Sequence, residues 1–167
     1  DRYAPMVNSR ITTLYENFDN RGTFNHGWSG GPLTLLSQYA AGVAPETVAF
    51  GTYHVFPQEG DLTGIKSTTP TVKGNIKVDI EKDISKYSLK LYSPAETVAK
   101  VGIPKSINNE YAVNTISLNN TEIWKDGSPI GTVEGANYIG ENNKYTIFSV
   151  VPGVYHFSAI LDGETDI

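Results

Sequence analysis

There is no cysteine in this sequence of 167 residues. Disulfides, thiolate metal sites and cysteine nucleophiles are excluded together. Also missing is any apolar run near the ~18 residues that a membrane-spanning helix needs. Positive charge is in short supply, with 13 Lys and Arg against 18 Asp and Glu, a net charge of −5. The basic residues form no cluster that could neutralise a phosphate backbone, so nucleic acid is not an expected partner. No His and carboxylate stand at metal-ligand spacing, and no phosphate-cradling glycine loop is present. Neither a metal nor a cofactor is expected. Low-complexity tracts are absent too, so the chain reads as globular. Its length suits one domain, or one small domain plus a fragment of another. It begins at Asp1 without Met or signal peptide and reads as a piece of a longer chain, which leaves its compartment unknown.

What is abundant is Tyr, Gly, Thr and Val, a composition typical of strands. The first 45 residues differ from the rest. Gly31 and Pro32 precede Leu33, Leu36, Tyr39, Ala40 and Val43 at helical spacing, and the pattern predicts a helix over 31–41. Residues 3–8 read as the tail of an earlier helix. Residues 11–20 carry too many β-branched and Asn/Asp residues for a helix. From Val48 onward the period becomes two. Strands are predicted over 52–56, 75–81, 87–92 and 97–101, and over 112–124 as one long strand or two short ones. Asp126-Gly127 signals a tight turn. Residues 145–151 and 154–160, on either side of Pro152-Gly153, read as a closing hairpin. The expected architecture is mainly β: an antiparallel sandwich over 46–167, preceded by a short helical segment within 1–45.

The chemistry-bearing residues crowd into the first part. Glu16 follows Thr12-Thr13-Leu14-Tyr15. Asn25-His26-Gly27-Trp28-Ser29-Gly30-Gly31-Pro32 comes shortly after. Glycosidases need two carboxyl groups about the scissile bond, with an aromatic face and polar side chains on the sugar. Glu16, Trp28 and Asn25 with His26 could supply half of such a site. Taken singly, a Glu is usually a solvated charge, a His a satisfied cap and a Trp part of the core.

The run Thr-Thr-Leu-Tyr-Glu followed by Asn-His-Gly-Trp-Ser-Gly-Gly-Pro resembles the TTLWE and NHGWSGGP signature of family-78 α-L-rhamnosidases. Residues 50–57, Gly60-Asp61-Leu62, Thr69-Pro70-Thr71, Gly74-Asn75-Ile76 and 152–157 also look like that family's course. The resemblance implies the last turns of an (α/α)6 catalytic barrel in 1–45 and a C-terminal β-sandwich domain in 46–167. It implies Glu16 as general base of an inverting hydrolysis. His26, Trp28, Asn25 and Tyr15 would line the rhamnose pocket. Tyr15 stands where the family usually has Trp, which keeps an aromatic wall of altered shape. The family's general acid lies upstream, on a part of the barrel outside this chain, so the isolated chain is expected to be inactive. The implied partners are a rhamnose-containing glycoside and the remainder of the barrel. Self-association through the exposed helix, by way of Leu33, Leu36 and Tyr39, is a further expectation. The host would be a bacterium, with a periplasmic, secreted or cytoplasmic location undecided. The competing reading is a non-catalytic carbohydrate-binding or structural sandwich. Its platform would be exposed rings such as Trp124, Tyr138 or Tyr92.

Overall fold

In the computed structural model, residues 3–11, 13–19, 21–107 and 111–161 are described. Thr12 of the sequence motif lies outside them, as does the side chain of Trp28. The chain divides into two compact units, Asp1–Leu36 and Ser37–Ile167. The first strand, β1 (Val43–Pro45), belongs to the second unit.

The clean alternation of 75–81 folds as the middle of β4 (Gly74–Lys82), with Ile76, Val78 and Ile80 buried and the residues between them turned outward. The same pattern gives β2 (Thr52–Val55), β5 (Lys86–Ser93) and β6 (Val98–Pro104). The ambiguous run 112–124 is two strands, β8 (Tyr111–Leu118) and β9 (Thr121–Lys125). Asn119 and Asn120 join them, both at positive φ, as a two-residue hairpin turn requires. Asp126 and Gly127 do the same between β9 and β10 (Ser128–Pro129). The remaining strands are β3 (Gly64–Thr71), β7 (Ser106–Ile107), β11 (Ala136–Glu141), β12 (Tyr145–Val150) and β13 (Gly153–Leu161).

These strands form two sheets. One has five strands in the order β1-β2-β6-β12-β11. The other runs β10-β9-β8-β13-β5-β4-β3, with β7 paired to β8. Pairing is antiparallel except between β2 and β6, which are parallel. The inward faces meet in one apolar core. Val55, Val101 and Phe148 come from the first sheet, and Ile80, Leu89, Ile116 and Phe157 from the second. Each such burial contributes ~1.5–3 kcal/mol. A polar chain also crosses the core. The Tyr53 hydroxyl donates to Ser93 Oγ at 2.8 Å, and Ser93 meets Thr97 Oγ1 at 2.9 Å. Thr97 donates to the Pro94 carbonyl at 2.6 Å. Burial pushes the Tyr53 phenol up to about 12.

The expected closing hairpin is not formed. β12 pairs with β6 and β11, and β13 pairs with β5 and β8, so Pro152-Gly153 carries the chain from one sheet to the other. Both strands have an apolar inward face. They bury it by facing each other across the sandwich, with the Phe148 and Phe157 rings 5.5 Å apart, instead of lying side by side. Pro152, which has no N–H, suits a corner better than a ladder.

The first unit holds α1 (Ala4–Asn8), a 3-10 turn (Gly27–Gly30) and α2 (Gly31–Leu35). The predicted helix over 31–41 is α-helical only in its first half. It loosens into a π-helical turn at Leu36–Ala40 before Gly42 takes φ +74°.

Candidate functional site

Residues 14–16 and 23–26 run beside each other as a short two-stranded ribbon. Tyr15 bridges Phe24, the Glu16 amide donates to the Thr23 carbonyl at 2.9 Å, and the His26 amide donates to the Leu14 carbonyl at 3.1 Å. The ribbon explains how two motifs separated in sequence come together. Gly22 turns the chain at φ +89°, and a Cβ there would sit 2.5 Å from Glu16 Oε2. Only glycine allows the carboxylate this approach. Asn25 also adopts positive φ, which Asn tolerates better than most residues. It accepts a hydrogen bond from the Thr13 hydroxyl at 3.3 Å.

Glu16 is held through one oxygen. Its Oε2 accepts from the Thr23 amide at 2.8 Å and from the Thr23 hydroxyl at 3.1 Å. His26 Nδ1 lies 2.8 Å from the same hydroxyl and 3.9 Å from Oε2. The hydroxyl has a single proton. Because it gives that proton to the carboxylate, it must accept from His26, which places the imidazole proton on Nδ1. The Thr23 amide and then its hydroxyl hold the Glu16 carboxyl below the ordinary carboxylate range, against an opposing effect of desolvation, with the charge interaction with His26 as the smallest influence. The group is therefore an anion at neutral pH. Both hydrogen bonds land on Oε2.

The surroundings of this pair are firm. Tyr15 is 3% exposed. Its hydroxyl donates to Ser9 Oγ at 2.7 Å, its ring packs edge-on against Phe24, and its carbonyl accepts from the Ser29 hydroxyl. Tyr3 donates to the Ser29 carbonyl at 3.2 Å. Glu16 and His26, among the expected residues, are thus brought together. Tyr15 is buried as a support, and Asn25 is exposed at the turn. Thr23, Gly22 and Ser29 were missed by motif reading. The available signal for them was Gly22-Thr23, a turn pair returning opposite Glu16. The neighbouring carboxylate Asp19 accepts from Arg21 Nε at 2.7 Å.

On the sandwich, the three rings of the competing reading do not form a platform. Trp124 is buried, Tyr138 packs edge-on against Phe148, and Tyr92 alone of the three is exposed.

Residues 42–115 match the model of the bacterial α-L-rhamnosidase C-terminal domain. A protein of Bacteroides ovatus described as containing an IPT/TIG domain is 30% identical over 101 residues, which covers 54% of this chain and 20% of that protein. The α-L-rhamnosidase of Dictyoglumus thermophilum has the same fold over 95% of this chain and 17% of its own, with a TM-score of 0.77 at 21% identity. The Streptomyces avermitilis α-L-rhamnosidase, solved with L-rhamnose, covers 86% of this chain and 12% of its own, at 0.64 and 16%. The chain spans a fifth or less of the proteins it matches. Identities this low establish likeness of fold. Residues 42–115 are thus similar to the C-terminal domain of bacterial α-L-rhamnosidases, and the chain's fold is like that of the two α-L-rhamnosidases over most of its length.

Proposed function

We propose that the chain is the C-terminal part of an inverting α-L-rhamnosidase that releases terminal α-L-rhamnose, with Glu16 as general base. The observation that carries this reading is the carboxylate itself. It is ionised at neutral pH, gripped through Oε2 by Thr23 and backed by His26. His26, with Nδ1 3.9 Å from Glu16 Oε2, would meet a sugar hydroxyl beside the base, and Asn25 and Trp28 belong to the same sequence motif.

Inverting hydrolysis needs a second carboxyl group, roughly 6.5–9.5 Å from the first, to protonate the leaving oxygen. Asp19 is engaged by Arg21 and does not suit an acid. The general acid is therefore assigned to the remainder of an (α/α)6 barrel upstream, and the isolated chain is inactive. The sandwich braces that barrel. Residues 1–45 form the barrel's last turns, and residues 46–167 form the brace.

The test is hydrolysis of an aryl α-L-rhamnoside by the longer enzyme containing this chain, with and without Glu16→Gln. Gln keeps the shape but takes no proton, so the rate falls by about 10²–10⁴-fold with folding unchanged. Near-unchanged turnover would remove Glu16 from the mechanism.

A further inference from the structure

The outer face of the larger sheet carries a shallow, open groove of about 360 Å³ across β3, β4, β5 and β13. It lies wholly within the second unit. Strand register builds it from residues that are far apart in sequence. One row sets Thr68, Lys77, Tyr92 and Val154 side by side, and the next sets Lys66, Asp79 and Lys90. Three lysines thus converge on one patch of a chain whose net charge is −5. Lys66 Nζ lies 3.4 Å from Asp79 Oδ2. Lys77 Nζ stands over the Tyr92 ring, 6.0 Å from its centroid. Among the described residues, neither Lys77 nor Lys90 has an acid within ion-pair distance. The next acid on this face, Glu81, stands one row further on, opposite Ser88. Tyr92 and Val154 are both exposed.

We propose that this groove binds an acidic saccharide, a short run of sugar units that carries carboxylates among its hydroxyls. Charge complementarity selects an anion, since two of the ammonium groups have no acid of their own. Asp79 narrows the choice. A carboxylate amid the lysines repels a ligand charged at every unit, such as a phosphate backbone, but accepts hydrogen bonds from neutral hydroxyls. Thr68 adds a hydroxyl that both donates and accepts. The Tyr92 ring, with Val154 beside it, offers an apolar surface to sugar C–H groups. Lys77, held over that ring, meets a sugar carboxylate next to the same surface. The groove is open to solvent and crosses three strand spacings, about 14 Å, which suits a short chain of rings better than a single one. The proposal does not rest on the role of Glu16.

The test is an amide NMR titration of the isotope-labelled chain at low salt with a tetramer of α-1,4-linked D-galacturonate. A second titration uses the fully methyl-esterified tetramer, which keeps the rings and loses the charge. With the free acid, saturable shifts are expected around Lys77, Lys90 and Tyr92, fading as added salt screens the lysines. The ester should cause little change. Lys77→Gln together with Lys90→Gln should weaken binding about tenfold. Lys125→Gln together with Lys144→Gln, equally exposed but outside the groove, should leave it unaltered. All four side chains are exposed, so both double variants should melt with the parent. A titration without saturation overturns the proposal. So does equal binding of the ester, or an equal loss in the two double variants, which would mark attraction to lysine charge anywhere on the surface.

Discussion

Thr23 does at the residue scale what the motif alone does not reveal. Its amide and hydroxyl both reach Glu16 Oε2, and they are the two largest influences holding that carboxyl low. Thr23→Val keeps the amide and removes the hydroxyl, so the carboxyl moves up toward its ordinary value. In the proposed mechanism the base must be ionised, and its activity is lost as pH falls through its pKa. The acid limb of the pH–rate profile of the longer enzyme should therefore shift to higher pH in the variant. An unmoved limb would separate Glu16 from the rate. The same sign applies to folding. A depressed folded-state pKa stabilises the ribbon above the unfolded carboxylate pKa, about 4.3, and that contribution disappears as pH falls through the folded value. Glu16 and His26 were legible in sequence because the motif names them. Thr23 and Gly22 were not, because their role depends on a ribbon register set by main-chain hydrogen bonds, which side-chain spacing does not encode.

At the scale of elements, alternation located β2, β4, β5, β6, β8 and β9, since one buried face and one wet face write period two directly into the sequence. β3 contains Pro70, a residue that argues against an inner strand. It is tolerated there because β3 is the edge of its sheet, where a missing N–H disturbs no inner ladder. β11 is also an edge strand, and its register shifts between Tyr138 and Gly140, which breaks the alternation. The closing hairpin was misread because a Pro-Gly corner between sheets and a Pro-Gly turn within one look alike in sequence. Only the partners of each strand tell them apart. Gly102, inside β6, has a structural reason of its own. Phe56 and Tyr145 stack over it, their rings 5.2 Å apart, and a Cβ at Gly102 would lie 2.7 Å from the Phe56 ring. The Tyr145 hydroxyl is tied to the Pro57 carbonyl at 2.6 Å, so these rings have little room to retreat. Gly102→Ala should lower stability by about 1–3 kcal/mol, seen as a lower urea midpoint with an unchanged slope. An unaltered midpoint would mean that the stack yields freely.

On the scale of the whole molecule, the two units differ in how well they bury apolar surface. The sandwich buries one contiguous apolar core, although Val48, Val72 and Ile84 stand exposed on its loops, whereas in the first unit Leu33, Leu35 and Leu36 are more than half exposed, Leu33 at 77%. Leaving such side chains in water forgoes ~1.5–3 kcal/mol apiece. In the proposed enzyme the rest of the barrel covers them. The isolated chain should instead self-associate with rising concentration, and Leu33→Lys together with Leu36→Lys should return it to monomer in sedimentation analysis. A parent chain that stays monomeric throughout would speak against a missing cover. The division into a helical strip and a β domain was readable from composition and periodicity, because the period changes from 3.6 to 2 along the chain. The parallel β2–β6 pair was not, since pairing direction across a long connection leaves no local pattern.

The central claim is that Glu16 activates the water of an inverting α-L-rhamnoside hydrolysis, and it is tested most directly by chemical rescue. The longer enzyme bearing Glu16→Ala is supplied with an aryl α-L-rhamnoside, with and without azide, and the products are followed by NMR. Azide attacks without a base. The account therefore predicts little turnover in its absence, and in its presence restored release of the aryl group with formation of the β-L-rhamnosyl azide. Substantial hydrolysis by the variant without azide, or an α-configured azide product, would contradict it.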